Sequence, residues 1–228
     1  MKIIILAAGI GSRLGNPFPK PLTPLKDGKS IMERQVESLS EAFSVHDISI
    51  VVGFKKDLIM ERFPDLTYIY NQYFDATNTS KSLLKALKKN QKEDVLWLNG
   101  DVIYEPAILD VLKEEIRQKN SFVSVNTNRV AEEEVKYSLK NGSIHELSKT
   151  VENGLGEAVG INYVSQNDVG LLIEHLEKCG ENDYFERGIE TAIQESGMNV
   201  KAVDISQFRC MEVDFKEDLE AANKIFKA

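Results

Sequence analysis

The segment at positions 6–22, LAAGIGSRLGNPFPKPL, carries groups that suit an anionic ligand. Gly9 and Gly11 let backbone N–H groups approach phosphate oxygens closely, because glycine has no Cβ atom. Arg13 supplies a planar, permanently charged fork, and Lys20 supplies a point charge on a segment that the following proline holds extended. We call this segment the opening loop, and its groups predict that it wraps a triphosphate.

Two familiar phosphate-binding signatures do not fit this loop. A dinucleotide fingerprint requires a third glycine where Leu14 stands, and a P-loop requires a Gly-Lys-Ser/Thr ending that is missing. Prolines at positions 17, 19, 21 and 24 stiffen the turn instead. A different type of phosphate loop is indicated.

The pattern that remains, LAAGIGSRLG followed by PKPL, resembles the signature of the nucleotidyltransferase superfamily, whose members join a nucleoside triphosphate to a phosphorylated small molecule. The resemblance implies a three-layer α/β/α, Rossmann-like fold with a mostly parallel mixed sheet, and catalytic roles for Arg13 and Lys20. The alternative is a glycine-rich turn with incidental charges. The residues that the resemblance places against the nucleotide are Leu6, Ala7, Ala8, Gly9, Gly11, Ser12, Arg13, Asn78, Ser82 and Gly100.

The resemblance also implies a Mg²⁺ ion held by two aspartates. The first ends a central strand, where WLNGDVIY has Asp101, and the second precedes a helix near the C-terminus, where MEVDFKEDL has Asp214. Mg²⁺ takes carboxylate, water and substrate phosphate oxygens as ligands. Each aspartate also has a structural interpretation, since Asp101 can satisfy turn amides and Asp214 with Glu217 can cap the last helix.

These groups suit attack by a phosphate or phosphonate oxygen on the α-phosphorus of a nucleoside triphosphate, with pyrophosphate as the leaving group. A phosphate monoester has a second pKa of about 6, so the nucleophile is mostly anionic at neutral pH and needs no strong general base. The barrier lies in bringing two anions together, which positive charge, backbone amides and Mg²⁺ lower.

The segment NQYFDATNTSKSLLKAL resembles the small phosphocholine cytidylyltransferase branch, in which an Asn and a Ser-Leu pair open a helix near the nucleotide. Asn78 and Ser82 hold these positions, although Asn78 or Thr79 can equally serve as an ordinary helix cap. The length of 228 residues favours this branch over larger sugar nucleotidyltransferases. The resemblance implies CTP as the nucleotide, and phosphocholine, 2-aminoethylphosphonate, phosphoglutamine or inositol phosphate as the acceptor.

Two later segments, SKTVENGLGEAVGINYV and NDYFERGIE, resemble the acceptor-binding elements of this branch. By that resemblance Lys149 meets the acceptor phosphate, while Glu157 and Glu186 pair with a cationic or hydroxylated head group. The expected aromatic wall against a quaternary ammonium consists of Tyr163, Tyr184 and Phe185. The structural alternatives are a solvated lysine, a strand-edge charge, a first-turn helix acid and core aromatics.

Three other functions stay open. A sugar-1-phosphate or molybdenum-cofactor nucleotidyltransferase shares the opening loop and differs in its nucleotide and acceptor. A non-catalytic nucleotide-binding regulatory module keeps the fold without turnover. A protein that only binds nucleotide would not need the metal carboxylates and the lysine together. A GT-A glycosyltransferase commonly uses an Asp-x-Asp pair, whereas Asn99-Gly100-Asp101 has one carboxylate.

Alternating strands and helices must position these groups. Short apolar runs alternate with helical patterns, which predicts an α/β fold whose ligands bind beyond the carboxyl ends of the strands. The predicted strands are 2–6, 48–52, 95–99, 121–125, 158–163 and 200–203. The predicted helices are 31–42, 79–89, 106–119, 169–178, 184–194 and 216–226. The loops of interest follow Leu6, Val52, Asn99 and Val213.

Local signals refine these elements. Ser30 and Glu33 have the spacing of a capping box, and Pro106 suits a first helical turn. Between positions 135 and 147 the pattern changes to VKYSLKNGSIHEL, in which Asn141-Gly142 is a two-residue hairpin turn. A small hairpin insertion is therefore expected between the strands of the mostly parallel sheet.

The composition and charge of the chain limit the kinds of partner that it is expected to bind. The net charge of -8, without a basic run, disfavours nucleic acid. The apolar start MKIIILAAG is too short for a membrane span and lacks a signal-peptide pattern. Cys179 and Cys210 show no CxxC spacing, which fits a reduced, cytoplasmic protein. No linker or repeat divides the chain, so one nucleotidyltransferase domain over 1–228 is expected, with monomer and homodimer both open.

Overall fold

The computed structural model describes residues 1–128, 130 and 133–225. The strands are β1 (Lys2–Ala7), β2 (Ile48–Val52), β3 (Thr67–Tyr70), β4 (Val95–Asn99), β5 (Val102–Tyr104), β6 (Phe122–Asn126), β7 (Lys136–Lys140), β8 (Ser143–Ser148), β9 (Glu157–Val164), β10 (Lys201–Asp204) and β11 (Cys210–Glu212). The helices are α1 (Ile31–Ala42), α2 (Lys56–Arg62), α3 (Thr79–Lys89), α4 (Ile108–Arg117), α5 (Gln166–Lys178), α6 (Phe185–Ser196) and α7 (Lys216–Ile225). Phe226, the predicted end of the last helix, lies outside the described residues.

The main sheet is mixed and mostly parallel. Its strand order is β10-β6-β9-β4-β1-β2-β3, and β9 runs antiparallel to both of its neighbours. The other neighbouring pairs are parallel. In the register of the central strands, Leu6 of β1 lies opposite Val51 of β2 and Asn99 of β4, so the carboxyl ends of these strands meet at one edge.

Two hydrophobic layers sandwich this sheet. Side chains alternate between the two faces of a strand, and on β1 Ile4 packs with α3, α5 and α6 while Ile3 and Ile5 pack with α1, α2 and α4. All three isoleucines are fully buried, as expected for a strand covered by helices on both faces. The predicted three-layer α/β/α architecture is confirmed.

The predicted hairpin is also present. Strands β7 and β8 pair antiparallel, and β7 contacts β9 through Lys136 opposite Glu157. Asn141 and Gly142 have φ angles of 55° and 82°, the positive values that a two-residue hairpin turn requires.

Several short elements were not predicted from the sequence, namely α2, β3, β5 and β11. Strand β3 is an edge strand in which only Ile69 is fully enclosed, so its pattern is weak. Strands β5 and β11 have three residues each and, among the described strands, pair only with each other. Helix α4 begins at Ile108 rather than Pro106, because Glu105 and Pro106 form a preceding turn whose carbonyls accept from Ile108 and Leu109.

A third hydrophobic cluster packs the C-terminal segment, residues 210–225, against the opening loop. Its core includes Leu14 and Leu25 from the loop region, Ile103 from β5, Val213 after β11 and Ala222 from α7. This cluster brings the C-terminal segment to the edge of the sheet where β1 ends and the opening loop begins. No helix among the described residues is both long and apolar enough to cross a membrane.

Candidate active site

A cavity of about 780 Å³ opens beyond the carboxyl ends of β1 and β4. Its wall includes the opening loop, the loop after β4 and the segment after β11. Residues of β9 and the start of α6 also contribute to the wall. The cavity therefore lies where ligands bind in open α/β sheets.

Four residues singled out in the sequence meet at this cavity. Lys20 Nζ donates to Asp101 Oδ2 at 2.6 Å and also donates to Asp214 Oδ1. Arg13 Nη1 donates to Asp214 Oδ2 at 3.2 Å. The Lys20 side chain is only 11% exposed, so it is held between the two carboxylates within the protein.

Electrostatics keep Lys20 charged. Burial alone lowers the pKa of its ammonium, but the charges of Asp101 and Asp214 and the hydrogen bonds to them outweigh burial, so the pKa lies above its ordinary value. Lys20 is thus a fixed positive charge at neutral pH.

Glycine is required where the loop passes Lys20. Gly11 has a φ of +64°, and a Cβ atom there would lie 2.6 Å from the Lys20 Cβ atom. Lys20 begins a short 3₁₀ turn, Lys20–Leu22, and Thr23 Oγ1 donates to the Lys20 carbonyl at 2.6 Å. The loop and the lysine stem therefore fix each other's position.

A second close approach positions Asp101. The Gly100 N–H donates to the Leu6 carbonyl at 2.9 Å, and a Cβ atom at Gly100 would lie 2.8 Å from both that oxygen and the Pro21 Cγ atom. The Asp101 carbonyl accepts from Val213 at 3.1 Å. Asp101 is thus held between the opening loop and the C-terminal segment.

The segment that carries Asp214 is capped by a neighbouring residue. Asp218 Oδ2 accepts from the N–H groups of Asp214 at 3.1 Å and Phe215 at 2.8 Å. The Arg13 guanidinium lies 5.6 Å from the centre of the Phe215 ring. Asp218 therefore performs the capping that the sequence offered as an alternative role for Asp214 and Glu217, and the Asp214 carboxylate faces the cavity cations.

The carboxylates suit a hard cation. Asp101 Oδ1 is buried without a hydrogen-bond partner among the described residues, and Asp101 and Asp214 already bracket a positive charge. Within the described ranges no three His, Cys, Asp or Glu side chains are grouped as a metal site. An ion here would need oxygens from substrate or water besides these carboxylates, which is the usual arrangement for Mg²⁺.

Six of the ten predicted nucleotide-binding residues lie on the cavity wall. Those on the cavity wall are Leu6, Ala7, Gly9, Gly11, Arg13 and Gly100. Ala8 is buried, and its carbonyl accepts from Phe54 instead. The Ser12 side chain lies outside the part that the structure describes.

Asn78 and Ser82 do not contribute to the cavity wall. Asn78 is the N-cap of α3, and its Oδ1 accepts from Thr79 N at 2.8 Å. The buried Ser82 hydroxyl accepts from Asn71 Nδ2 at 3.1 Å. Thr79 is the residue of this segment that lines the cavity, so the contacts match the capping alternative and a nucleotide role stays a prediction.

All three predicted acceptor residues, Lys149, Glu157 and Glu186, line the cavity. Lys149 Nζ lies 5.1 Å from the centre of the Tyr184 ring. Burial raises the pKa of Glu186 to about 7, and the nearby charge of Lys149 only partly opposes this shift. The cavity thus holds a buried carboxyl beside a lysine and an aromatic ring.

The expected aromatic wall is only partly formed. Tyr163 is a core residue, stacked on Phe122 with ring centres 5.4 Å apart, and it does not line the cavity. Phe185 lines the cavity but packs edge-on against Trp97 at 5.6 Å. Of the three predicted aromatics, only Tyr184 is well exposed at the site.

Glu212 also lines the cavity and was missed by the sequence analysis. Its Oε1 accepts from Asn99 Nδ2 at 3.0 Å, beside Gly160, where a Cβ atom would come within 2.6 Å of that oxygen. Burial, followed by the charge of Asp101, raises the pKa of Glu212 well above its ordinary value. The available signal was its position two residues before Asp214, since alternate residues of an extended segment share a face.

The chain matches the family model of the MobA-like NTP transferase domain over residues 3–165, more than two thirds of its length. The bifunctional protein GlmU of Methanococcus maripaludis is 40% identical over 122 residues, which cover 50% of this chain and 28% of that protein. CMP-5'-(3-aminopropyl)phosphonate synthase of Streptomyces rubellomurinus is 34% identical over 121 residues, which cover 49% and 19%. The alignments thus span less than a third of these two relatives.

A third relative matches over almost its whole length. CTP:phosphoglutamine cytidylyltransferase of Campylobacter jejuni is 28% identical, with 96% of this chain and 98% of that protein covered. Among solved structures, the fold is shared with CTP:phosphocholine cytidylyltransferase of Streptococcus pneumoniae, at a TM-score of 0.80, 19% identity and 99% coverage of both chains. It is also shared with the inositol-1-phosphate CTP transferase of T. maritima, at a TM-score of 0.79, 18% identity and coverage of 100% and 97%. The nucleotidyltransferase resemblance is confirmed: the chain belongs to the MobA-like NTP transferase family.

Proposed function

We propose that the protein is a Mg²⁺-dependent cytidylyltransferase, which transfers CMP from CTP to a small phosphorylated or phosphonate acceptor and releases pyrophosphate. The observation that carries the proposal is the contact of Lys20 with both Asp101 and Asp214 at the opening loop. That contact joins a phosphate-binding loop, a lysine and two carboxylates in one cavity, and a nucleotide-binding module without turnover does not need all of them.

The side chains have distinct roles in this proposal. Arg13 and Lys20 bind oxygens of the triphosphate and stabilise the negative charge that develops in the transition state. The backbone N–H groups near Gly9 and Gly11 hold the phosphates in place. Asp101 and Asp214 are the residues that would hold Mg²⁺, which when bound neutralises phosphate charge.

The choice of CTP is supported by relatives and fold neighbours. The names of the phosphoglutamine, phosphocholine and inositol-1-phosphate proteins contain CTP, and the aminopropylphosphonate protein is named for a CMP product. The phosphoglutamine relative matches almost the whole chain, including the C-terminal segment that carries Asp214.

The proposed acceptor has a positively charged head group. Glu157 and Glu186, the acidic residues assigned to the acceptor, both contribute to the cavity wall. When ionised, carboxyl groups in a partly enclosed site favour a cationic ligand and disfavour an anionic one, and a bound cation favours the ionised form in turn. A phosphate or phosphonate at one end of the acceptor, facing Arg13 and Lys20, and an ammonium at the other end would match this distribution of charge.

The test is pyrophosphate release by the purified protein with Mg²⁺. CTP, UTP, dTTP, ATP and GTP are each combined with phosphocholine, phosphoethanolamine, 2-aminoethylphosphonate, phosphoglutamine and several sugar 1-phosphates. The proposal predicts release that requires CTP and an acceptor with a nitrogen-bearing head group. Release with a sugar 1-phosphate alone would contradict the acceptor assignment, and nucleotide binding without release from any pair would contradict the enzymatic proposal.

A further inference from the structure

Glu186 has an unusual environment at the acceptor side of the cavity. It lies in the first turn of α6 and lines the cavity, yet the residue is only 8% exposed. Its Oε2 atom is buried and has no hydrogen-bond partner within the described ranges. A buried polar atom without a partner is costly, so an atom of this kind beside a ligand cavity points to a donor supplied by the ligand.

The neighbouring cation does not supply that donor. The charge of Lys149 acts on Glu186, but the Lys149 ammonium lies over the Tyr184 ring, and it makes no hydrogen bond to Glu186 Oε2. For the ionised carboxylate the missing partner is an N–H or O–H group, and its negative charge favours a cationic N–H donor, which in turn favours the ionised form.

The described residues of the cavity wall form no aromatic cage for a quaternary ammonium. The Tyr184 ring faces Lys149, and the Phe215 ring faces Arg13. Phe185 packs edge-on against Trp97, and Phe208 packs against the hydrophobic core. A quaternary ammonium is recognised mainly by open aromatic faces, because it has no N–H group, and the aromatic residues of this cavity wall are already in contact with protein groups.

We propose that Glu186 makes the acceptor site selective for a head group with N–H donors, a primary ammonium, over a fully methylated quaternary ammonium. The inference rests on the proposed function and narrows its substrate class. A primary ammonium donates a hydrogen bond to Glu186 Oε2 on binding, whereas a trimethylammonium group fills the same space and leaves that oxygen without a partner.

The test is a methylation series of acceptors with CTP and Mg²⁺. Phosphoethanolamine and its mono-, di- and trimethyl derivatives, the last being phosphocholine, keep the phosphate and change the number of N–H donors. For the wild-type protein kcat/KM is expected to fall along the series, by at least tenfold from phosphoethanolamine to phosphocholine. Equal or better use of phosphocholine would overturn the inference.

Two glutamine variants separate hydrogen bonding from the size of the head group. Glu186→Gln removes the charged acceptor and should lower the ratio of kcat/KM for phosphoethanolamine to that for phosphocholine at least fivefold. Glu190→Gln is the matched control, because Glu190 is equally buried on the same helix but accepts from Leu147 N and does not line the cavity. It should keep the ratio within twofold.

The outcomes distinguish the two proposals. If both acceptors lose activity equally in Glu186→Gln, the selectivity role is wrong while cytidylyl transfer stands. Transfer only to acceptors that lack nitrogen would overturn the selectivity role in the same way. If the wild-type protein transfers CMP to no acceptor, the proposed function itself is wrong.

Discussion

Lys20 is the residue on which the geometry of the site depends most directly. Its ammonium separates two carboxylates that would otherwise repel each other, and in return they hold it at the cavity. Removing one partner of a partly buried ion pair leaves the other charge without compensation, but the two carboxylates remain partly exposed to water, which limits the loss of stability. The position of Lys20 is therefore set by the same groups that would bind the metal.

Glu186 allows a prediction about stability at the residue scale. Its pKa is about 7 in the folded protein because of burial, against 4.5 ordinarily. Between these values the folded protein keeps a proton that the unfolded chain loses, so the free energy of unfolding falls as pH rises through this window. Glutamine does not titrate, so the free energy of unfolding of Glu186→Gln does not fall in this window. At pH 8 it should exceed that of wild type by up to about 3 kcal/mol, and at pH 4.5 it should not exceed it.

Urea unfolding at the two pH values measures this difference. Glu220→Gln, an exposed position on α7, serves as the control and should show little difference from wild type at either pH. The same stability difference for Glu186→Gln at pH 4.5 and pH 8 would contradict a raised pKa for Glu186.

At the scale of elements, the start of α7 controls where Asp214 points. Asp218 accepts from two backbone N–H groups, and Val213 donates to the Asp101 carbonyl just before them. The cap thus links the helix to both proposed metal ligands. Asp218 acts on the site through Asp214, as a positioning residue.

Asp218→Ala is expected to lose about 1 kcal/mol of stability, as for other lost helix caps, and to raise the Mg²⁺ concentration needed for half-maximal transfer at least fivefold. Asp218→Asn keeps an acceptor oxygen and should restore most of both properties. Titration of activity with Mg²⁺ measures the effect, with Glu220→Ala as an exposed control on the same helix. An unchanged Mg²⁺ requirement in Asp218→Ala would mean that the cap only stabilises the helix.

The sequence predicted the long elements well and the short ones poorly. The capping box of α1 is present as expected, with Ser30 accepting from Glu33 N and Glu33 accepting from Ser30 N. The hairpin turn at Asn141-Gly142 was likewise correct. Strands β5 and β11 were missed because they depend on each other across the fold, and a three-residue strand leaves no periodicity to detect.

The same limit applies to the site. Arg13, Lys20, Asp101 and Asp214 were predicted because they stand in recognisable local patterns, and the structure brings them together. Glu212 and Asp218 were not predicted. Their places in the site depend on contacts with Asn99 and with the Asp214 N–H, which form only in the folded protein. Tyr163 was misplaced because a strand aromatic can face either the core or a ligand, and its local sequence does not distinguish the two.

At the scale of the whole molecule, the site is built from segments far apart in sequence. Lys20 lies 81 positions from Asp101 and 194 positions from Asp214. The family match ends at residue 165, so Asp214, α7 and Glu186 all belong to the part beyond it. The proposed chemistry therefore depends on docking of the C-terminal segment onto the opening loop through the cluster around Leu14 and Val213.

The most direct test of the central claim is the Mg²⁺-dependent rate of CMP transfer from CTP, compared among wild type, Lys20→Ala, Asp101→Asn and Asp214→Asn. Each variant is expected to lose at least about 100-fold in rate while its circular dichroism shows a folded protein. Asp65→Asn, an exposed aspartate after α2, should match wild type. Near wild-type rates in any of the three site variants, or a wild-type rate that does not depend on Mg²⁺, would contradict the proposed roles of Lys20, Asp101 and Asp214.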